Sequence, residues 1–241
     1  MIAMILAAGR GERMRPLTDR MPKPLLEAGG RPLIVHLLEA LAAAGCRELV
    51  VNTAHLGRML EDALGSGERH GVRIAWSHEG EALETAGGIA CARPLLGDQP
   101  FLVVNGDVWT DLDFGGFIAR AGAALARPAC EAYLLLVDNP RHHPDGDFRL
   151  AGDRVVDEAC ADAAAAPKYT FAGIGAYRPR LFDGVEPGAK APLAPLLVAA
   201  RARGAVSGEH FGGGWMDIGT PQRLADLDRR LRDGLTAAGS L

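Results

Sequence analysis

Short apolar runs alternate along the chain with longer stretches whose apolar residues recur at helical spacing. Ile2 to Ala8 is apolar throughout and predicts a buried strand. Gly29-Gly30 marks a turn, and Pro32 stands where a first helical residue often does. Leu33, Ile34, Leu37, Leu38 and Leu41 then form a stripe that Gly45 closes. Leu49 to Val51 predicts a strand, Leu56 to Leu64 a helix followed by Gly65 and Gly67, and Val72 to Trp76 another strand. Phe101-Leu102-Val103-Val104, unbroken and apolar, reads as a central strand. The alternation predicts an α/β fold, a three-layer, mostly parallel twisted sheet with helices on both faces. Ligands of such sheets bind beyond the carboxyl ends of the strands.

The second half is more varied. Asp113 to Leu125 predicts a helix ended by Arg127-Pro128, and Tyr133 to Val137 a return to the sheet. Residues 138–147 are polar and without periodicity, a candidate lid because long irregular segments after a strand are often functional. Phe148 to Leu150, Arg154 to Val156 and Tyr169 to Tyr177 predict antiparallel strands around an Ala-rich connection, Ala159 to Ala166. Leu193 to Ala202 predicts a helix ended by Gly204. Thr220-Pro221 supplies an N-cap and first residue for a last helix with Leu224, Leu227 and Leu231 on its buried face.

Composition narrows the partners. With 241 residues, 48% of them hydrophobic, one substantial core is within reach, and a single domain over 1–241 is expected. A net charge of −4 gives no basic excess for holding nucleic acid, so a small anion at a local basic pocket fits better. Cys46, Cys91, Cys130 and Cys160 are far apart and form no C-x-x-C pair, so neither a zinc site nor a disulfide framework is indicated. No stretch reaches the roughly 18 apolar residues needed to span a bilayer, and a soluble cytoplasmic protein is expected.

The chemistry concentrates after the first strand. Gly9 and Gly11 let backbone N–H groups converge, and Arg10, Arg13, Arg15 and Arg20 add positive charge, a combination suited to phosphate. Lys23 follows, held between Pro22 and Pro24, which stiffen its backbone. Two commoner glycine loops are excluded. Neither glycine begins the Walker spacing, and Met14 occupies the third glycine position of a dinucleotide fingerprint.

The series Gly9-x-Gly11-x-Arg13-x-x-Pro16-Leu17-Thr18 followed by Pro22-Lys23-Pro24 resembles the signature of the sugar-phosphate nucleotidyltransferases. The resemblance implies a loop that holds a nucleoside triphosphate through Ala8, Gly9, Gly11, Glu12 and Arg13, with Lys23 on phosphate oxygens. Residues 1–112 would then be mainly nucleotide-binding and 113–241 mainly sugar-phosphate-binding. The polar, glycine-rich segment Glu79 to Ile89 ends at a helix start expected around Gly87-Gly88; in the resembled family this loop contacts the base, which makes Glu84, Gly87 and Gly88 candidate base contacts. Asp107 ends the central strand, where a carboxylate is well placed to hold magnesium against phosphates, and the resemblance assigns it as a metal ligand. Asn105, two residues earlier on the same side, is expected to touch the nucleotide. The motif Trp215-Met216-Asp217-Ile218-Gly219-Thr220 resembles the family's second acidic site, so Asp217 joins Asp107 on Mg2+. Lys23, Arg13 and Asp107 are the implied catalytic residues.

His142-His143, Gly146-Asp147-Phe148 and Val206 to His210 resemble the branch that uridylylates N-acetylmuramate 1-phosphate in bacterial peptidoglycan recycling. That implies UTP and a sugar 1-phosphate as substrates and Asp147 as a sugar contact. The lactyl carboxylate of muramate calls for cations, for which His142, His143, Arg149 or His210 are available. Where many relatives carry Glu-Lys-Pro this chain has Asp157-Glu158-Ala159, so the usual second lysine is missing. Neither a protein nucleophile nor a general base is required, because the attacking phosphate is already ionised. Mannose 1-phosphate with GTP, glucose 1-phosphate with dTTP or UTP, and a non-catalytic nucleotide-sugar sensor stay open. No hexapeptide repeats follow the last helix, so an attached acetyltransferase β-helix is not expected.

Overall fold

The computed structural model describes residues 1–157 and 165–238. Cys160, Glu158, Ala159 and most of the Ala-rich connection lie outside the described residues. The elements in chain order are β1 (Ala3–Leu6), β2 (Glu27–Ala28), β3 (Arg31–Pro32), α1 (Leu33–Ala43), β4 (Glu48–Thr53), α2 (Gly57–Leu64), β5 (Arg73–His78), α3 (Glu84–Leu96), β6 (Phe101–Asn105), β7 (Val108–Thr110) and α4 (Phe114–Ala126). They continue with β8 (Ala132–Val137), β9 (Phe148–Ala151), β10 (Arg154–Val156), β11 (Lys168–Tyr177), α5 (Leu193–Ala202), β12 (Val206–Phe211), β13 (Trp215–Asp217) and α6 (Pro221–Ala238).

A nine-stranded sheet carries the fold, in the order β5-β4-β1-β6-β11-β8-β12-β10-β9. β5, β4, β1 and β6 are parallel, as the alternation of strand and helix requires. β11 enters antiparallel between β6 and β8, and β12 pairs parallel with β8. β11 also pairs with β9, so β11, β8, β12, β10 and β9 close a ring of pairings at one end of the sheet.

Successive side chains of the central strands point to opposite faces, and both faces are buried, which builds the three layers. Ala3, Ile5, Leu102, Val104 and Leu135 face α1, α2 and α4, against Leu38, Leu60 and Phe117. Met4, Phe101, Val103, Leu134 and Leu136 face α3 and α5, against Ile89, Leu96 and Leu197. A smaller third core joins Met14, Leu26, Leu33, Ile218 and Leu227, fastening α6 beneath the glycine loop.

Two boundaries differ from expectation. Pro32 belongs to the β2–β3 hairpin opposite Glu27, and helix α1 starts one residue later. Helix α3 starts at Glu84, so Gly87 and Gly88 lie inside it; the glycines serve packing here, because Ala86 and Gly87 both donate their N–H to the Ala191 carbonyl.

Candidate active site

The carboxyl ends of β1, β4 and β6 open onto a cavity of about 430 Å³. Its floor is the chain from Leu6 to Met14, its sides are Lys23 and Asn105 to Asp107, and its far end is Glu79, Ala82, Glu84 and Thr85. Gly219 reaches it from the opposite half of the chain.

The glycine loop is held by specific contacts. Ala7 donates its N–H to Asn52 Oδ1 at 2.6 Å. Gly11 adopts φ 64°, a left-handed turn that glycine takes without strain, and its carbonyl accepts from the Met14 N–H and Thr18 Oγ1, each at 2.8 Å. A methyl group at Gly11 would stand 2.9 Å from Thr18 Cγ2 and 3.3 Å from Lys23 Cβ, so the loop and the lysine backbone are packed together. Lys23 opens a 3-10 turn after Pro22, is buried, and places Nζ 2.5 Å from Asp107 Oδ2. Of the four arginines around the loop, Arg13 lines the cavity, and Arg15 turns away to pair with Asp19 at 3.1 Å.

Asp107 and Asp217 stand on adjoining backbones. β13 pairs antiparallel with β7 so that Asp217 lies opposite Val108, and the Ile218 N–H donates to the Asp107 carbonyl at 2.7 Å. Both carboxylates are partly exposed, at 33% and 26% of the side chain. They are charge-compensated differently: Asp107 by Lys23, Asp217 by Arg223, whose Nη1 lies 2.6 Å from each carboxylate oxygen. Among the described residues no three His, Cys, Asp or Glu side chains converge to hold an ion alone. Two partly exposed carboxylates on paired strands nevertheless fit magnesium, a hard cation that takes few protein ligands and completes its shell with water and phosphate oxygens.

A second cavity of about 360 Å³ adjoins Asp217 and is lined by Asn139, His142, Phe211, Trp215 and Arg223. The sequence-selected sugar residues separate here. His142 faces the cavity, with Nε2 3.0 Å from Asp217 Oδ1 and 2.7 Å from Arg223 Nη1. His143 instead pairs with Asp147 at 2.9 Å, and the other oxygen of Asp147 accepts the Phe171 N–H at 2.8 Å, which ties the 138–147 loop to β11. His210 pairs with Asp138 at 2.8 Å and stacks on Tyr169, while Arg149 donates to the Ala166 carbonyl at 2.7 Å. Of the four alternative cations, His142 lines this cavity, and the other three have partners elsewhere. Gly87 and Gly88 likewise sit behind the first cavity, Gly88 against Asn52 and Glu79. Glu84 does line it, in a left-handed conformation with φ 62°, uncommon for a residue with a side chain.

The model of the family described as nucleotidyl transferase matches residues 2–234. The chain belongs to this family. Among curated nucleotidyl transferases it is 53% identical over 227 residues to the N-acetylmuramate alpha-1-phosphate uridylyltransferase of Neisseria meningitidis serogroup B, covering 94% of this chain and 96% of that one. It is 36% identical over 240 residues to the protein of the same name from Caulobacter vibrioides, covering 96% and 97%. In three dimensions it is similar, with a TM-score of 0.81 and 21% identity, to a Bacillus anthracis protein described as a glucose-1-phosphate thymidylyltransferase, covering 97% of this chain and 96% of that one. At that identity the likeness concerns the fold.

Several residues of this nucleotidyl transferase site carry little or no signal in the sequence. Asn52 and Glu79 line the first cavity, and Arg223 the second. Asn52 gave one signal, a polar residue interrupting the apolar run of β4. Arg223 gave none, since it falls on the polar face of α6 among other arginines.

Proposed function

We propose that the protein transfers a uridylyl group from UTP to N-acetylmuramate 1-phosphate, giving UDP-N-acetylmuramate and pyrophosphate for peptidoglycan recycling. The observation that carries the reading is the seating of Lys23 against Asp107 in a cavity floored by the glycine loop. The near full-length similarity to relatives so named supports the choice of base and sugar.

The obstacle to the reaction is the mutual repulsion of two phosphorylated anions. An oxygen of the sugar 1-phosphate attacks the α-phosphorus of UTP, and the bond to pyrophosphate breaks in line. The N–H groups from Ala8 to Arg13 and the Lys23 ammonium face the triphosphate and are held in place before it arrives, so they stabilise developing charge at little reorganisation cost, and the Arg13 guanidinium adds charge from the cavity wall. Asp107 and Asp217 would hold magnesium, which when bound would supply further charge neutralisation. Asn139, His142 and the aromatic faces of Phe211 and Trp215 enclose the sugar in the second cavity.

The test is a panel of nucleoside triphosphates crossed with sugar 1-phosphates, scored by pyrophosphate release. UTP with N-acetylmuramate 1-phosphate is expected to give the highest kcat/KM. A preference for GTP with mannose 1-phosphate, or for dTTP with glucose 1-phosphate, replaces the reading. Nucleotide-sugar binding without turnover on any pair makes the protein a sensor.

A further inference from the structure

Arg13 and Arg223, far apart in sequence, converge on the backbone of Gly219. A Cβ built there would stand 3.2 Å from Arg13 Nη2 and well inside contact distance of Arg223 Nη2. Gly219 lines the first cavity, while Arg223 and the neighbouring Asp217 line the second, so the two guanidiniums mark the seam between them.

The local charge does not close. Arg223 engages Asp217 and His142 through Nη1 and holds Nη2 over Gly219; its side chain is 16% exposed. Arg13 makes no ion pair with any described residue. Two cations directed at one point thus face a single carboxylate, Asp217. Two guanidiniums brought together, one of them largely shielded from solvent, call for an anion with more than one negative charge and several acceptor oxygens.

We propose that this anion is the phosphate of the sugar 1-phosphate, seated over Gly219, with Arg223 as its principal ligand and Arg13 bridging it to the nucleotide. The inference rests on the transferase reading above and deepens it. A phosphate at the seam has its sugar in the second cavity and its free oxygens toward the first, which is the orientation attack requires. Gly219 is what permits the arrangement, since a side chain there would displace Arg223.

Steady-state kinetics on the full chain test it. Arg223→Ala is expected to raise KM about ten- to a hundredfold for N-acetylmuramate 1-phosphate and N-acetylglucosamine 1-phosphate alike, with KM for UTP moving less than about twofold. Arg223→Lys recovers part of the loss, keeping the charge but not the fork. Gly219→Ala shifts the same KM in the same direction with an unchanged melting temperature, because the added methyl meets only the ends of two arginine side chains. Sugar-phosphate KM values unchanged in these variants overturn the proposal. So does a rise confined to the muramate substrate, which would assign Arg223 to the lactyl carboxylate, or a change confined to kcat and the magnesium requirement, which would make Arg223 a positioning residue for Asp217. Wild-type protein inert toward every sugar 1-phosphate removes the transferase reading and this inference together; active wild type with unmoved KM in the variants removes the inference alone.

Discussion

Asn52 donates from Nδ2 to Glu79 Oε1 at 2.5 Å while its own Oδ1 holds the Ala7 N–H at 2.6 Å. Glu79 completes the chain by accepting the Leu83 N–H on Oε2 at 2.8 Å. The start of the glycine loop and the start of α3 are thereby held at a fixed spacing across the cavity. Two polar residues, Asn52 just after the apolar run Leu49 to Val51 and Glu79 at the start of a polar segment, set the distance across the cavity.

This network has a pH signature. Burial pushes the Glu79 carboxyl above its ordinary pKa, with the hydrogen bonds from Leu83 and Asn52 pulling the other way. A raised folded-state value means that the native protein binds the proton more tightly than the unfolded chain. The contribution of this group is therefore full below the unfolded value and is lost as pH rises through the folded one. Denaturant unfolding between about pH 4 and pH 7 is expected to show wild type losing stability relative to Glu79→Gln as pH increases. Parallel curves would contradict the assignment.

Gly11→Ala is expected to cost about 1–2 kcal/mol of stability from the left-handed backbone alone. The methyl group also presses on Thr18 and on Lys23 Cβ, so kcat is expected to fall by about tenfold or more even where the protein remains folded. Melting temperature and pyrophosphate release on the same sample separate the two effects.

Leu227 is fully buried and packs with Met14, Leu33 and Ile218, the last next to Asp217. Leu227→Ala is expected to destabilise by about 2–5 kcal/mol, whereas Leu227→Met should cost less than about 1.5 kcal/mol. Because the same cluster supports the glycine loop and β13, the alanine variant should also lose kcat/KM below its melting transition. Denaturation midpoints and initial rates check both.

The layers of the fold were legible because β1, β6 and β8 are unbroken apolar runs and apolar residues recur at helical spacing in α1 and α6. β7 and β13 were not, since three-residue strands owe their identity to each other and to nothing in their own pattern. The phosphate loop and Lys23 were readable from local sequence, where glycine, arginine and proline act on their immediate neighbours. The sugar side was not. His142, His143 and His210 look equivalent in sequence, and only their partners Asp217, Asp147 and Asp138 distinguish them. Gly87 and Gly88 suggested exposed donors, yet their spacing answers to Ala191 and Asn52, remote along the chain, and to Glu79. Arg223 shares its helix with Arg229, Arg230 and Arg232, and its role follows from standing beside Asp217.

The proposed reaction requires the glycine loop, Lys23 and the Asp107–Asp217 pair to act together on one nucleotide. The most direct measurement is magnesium-dependent formation of UDP-N-acetylmuramate from UTP and N-acetylmuramate 1-phosphate, followed by mass spectrometry in wild type, Lys23→Ala and Asp107→Ala. The account predicts product in wild type and a loss of about a hundredfold or more in each variant with circular dichroism unchanged. Turnover within about tenfold of wild type in both folded variants would contradict it.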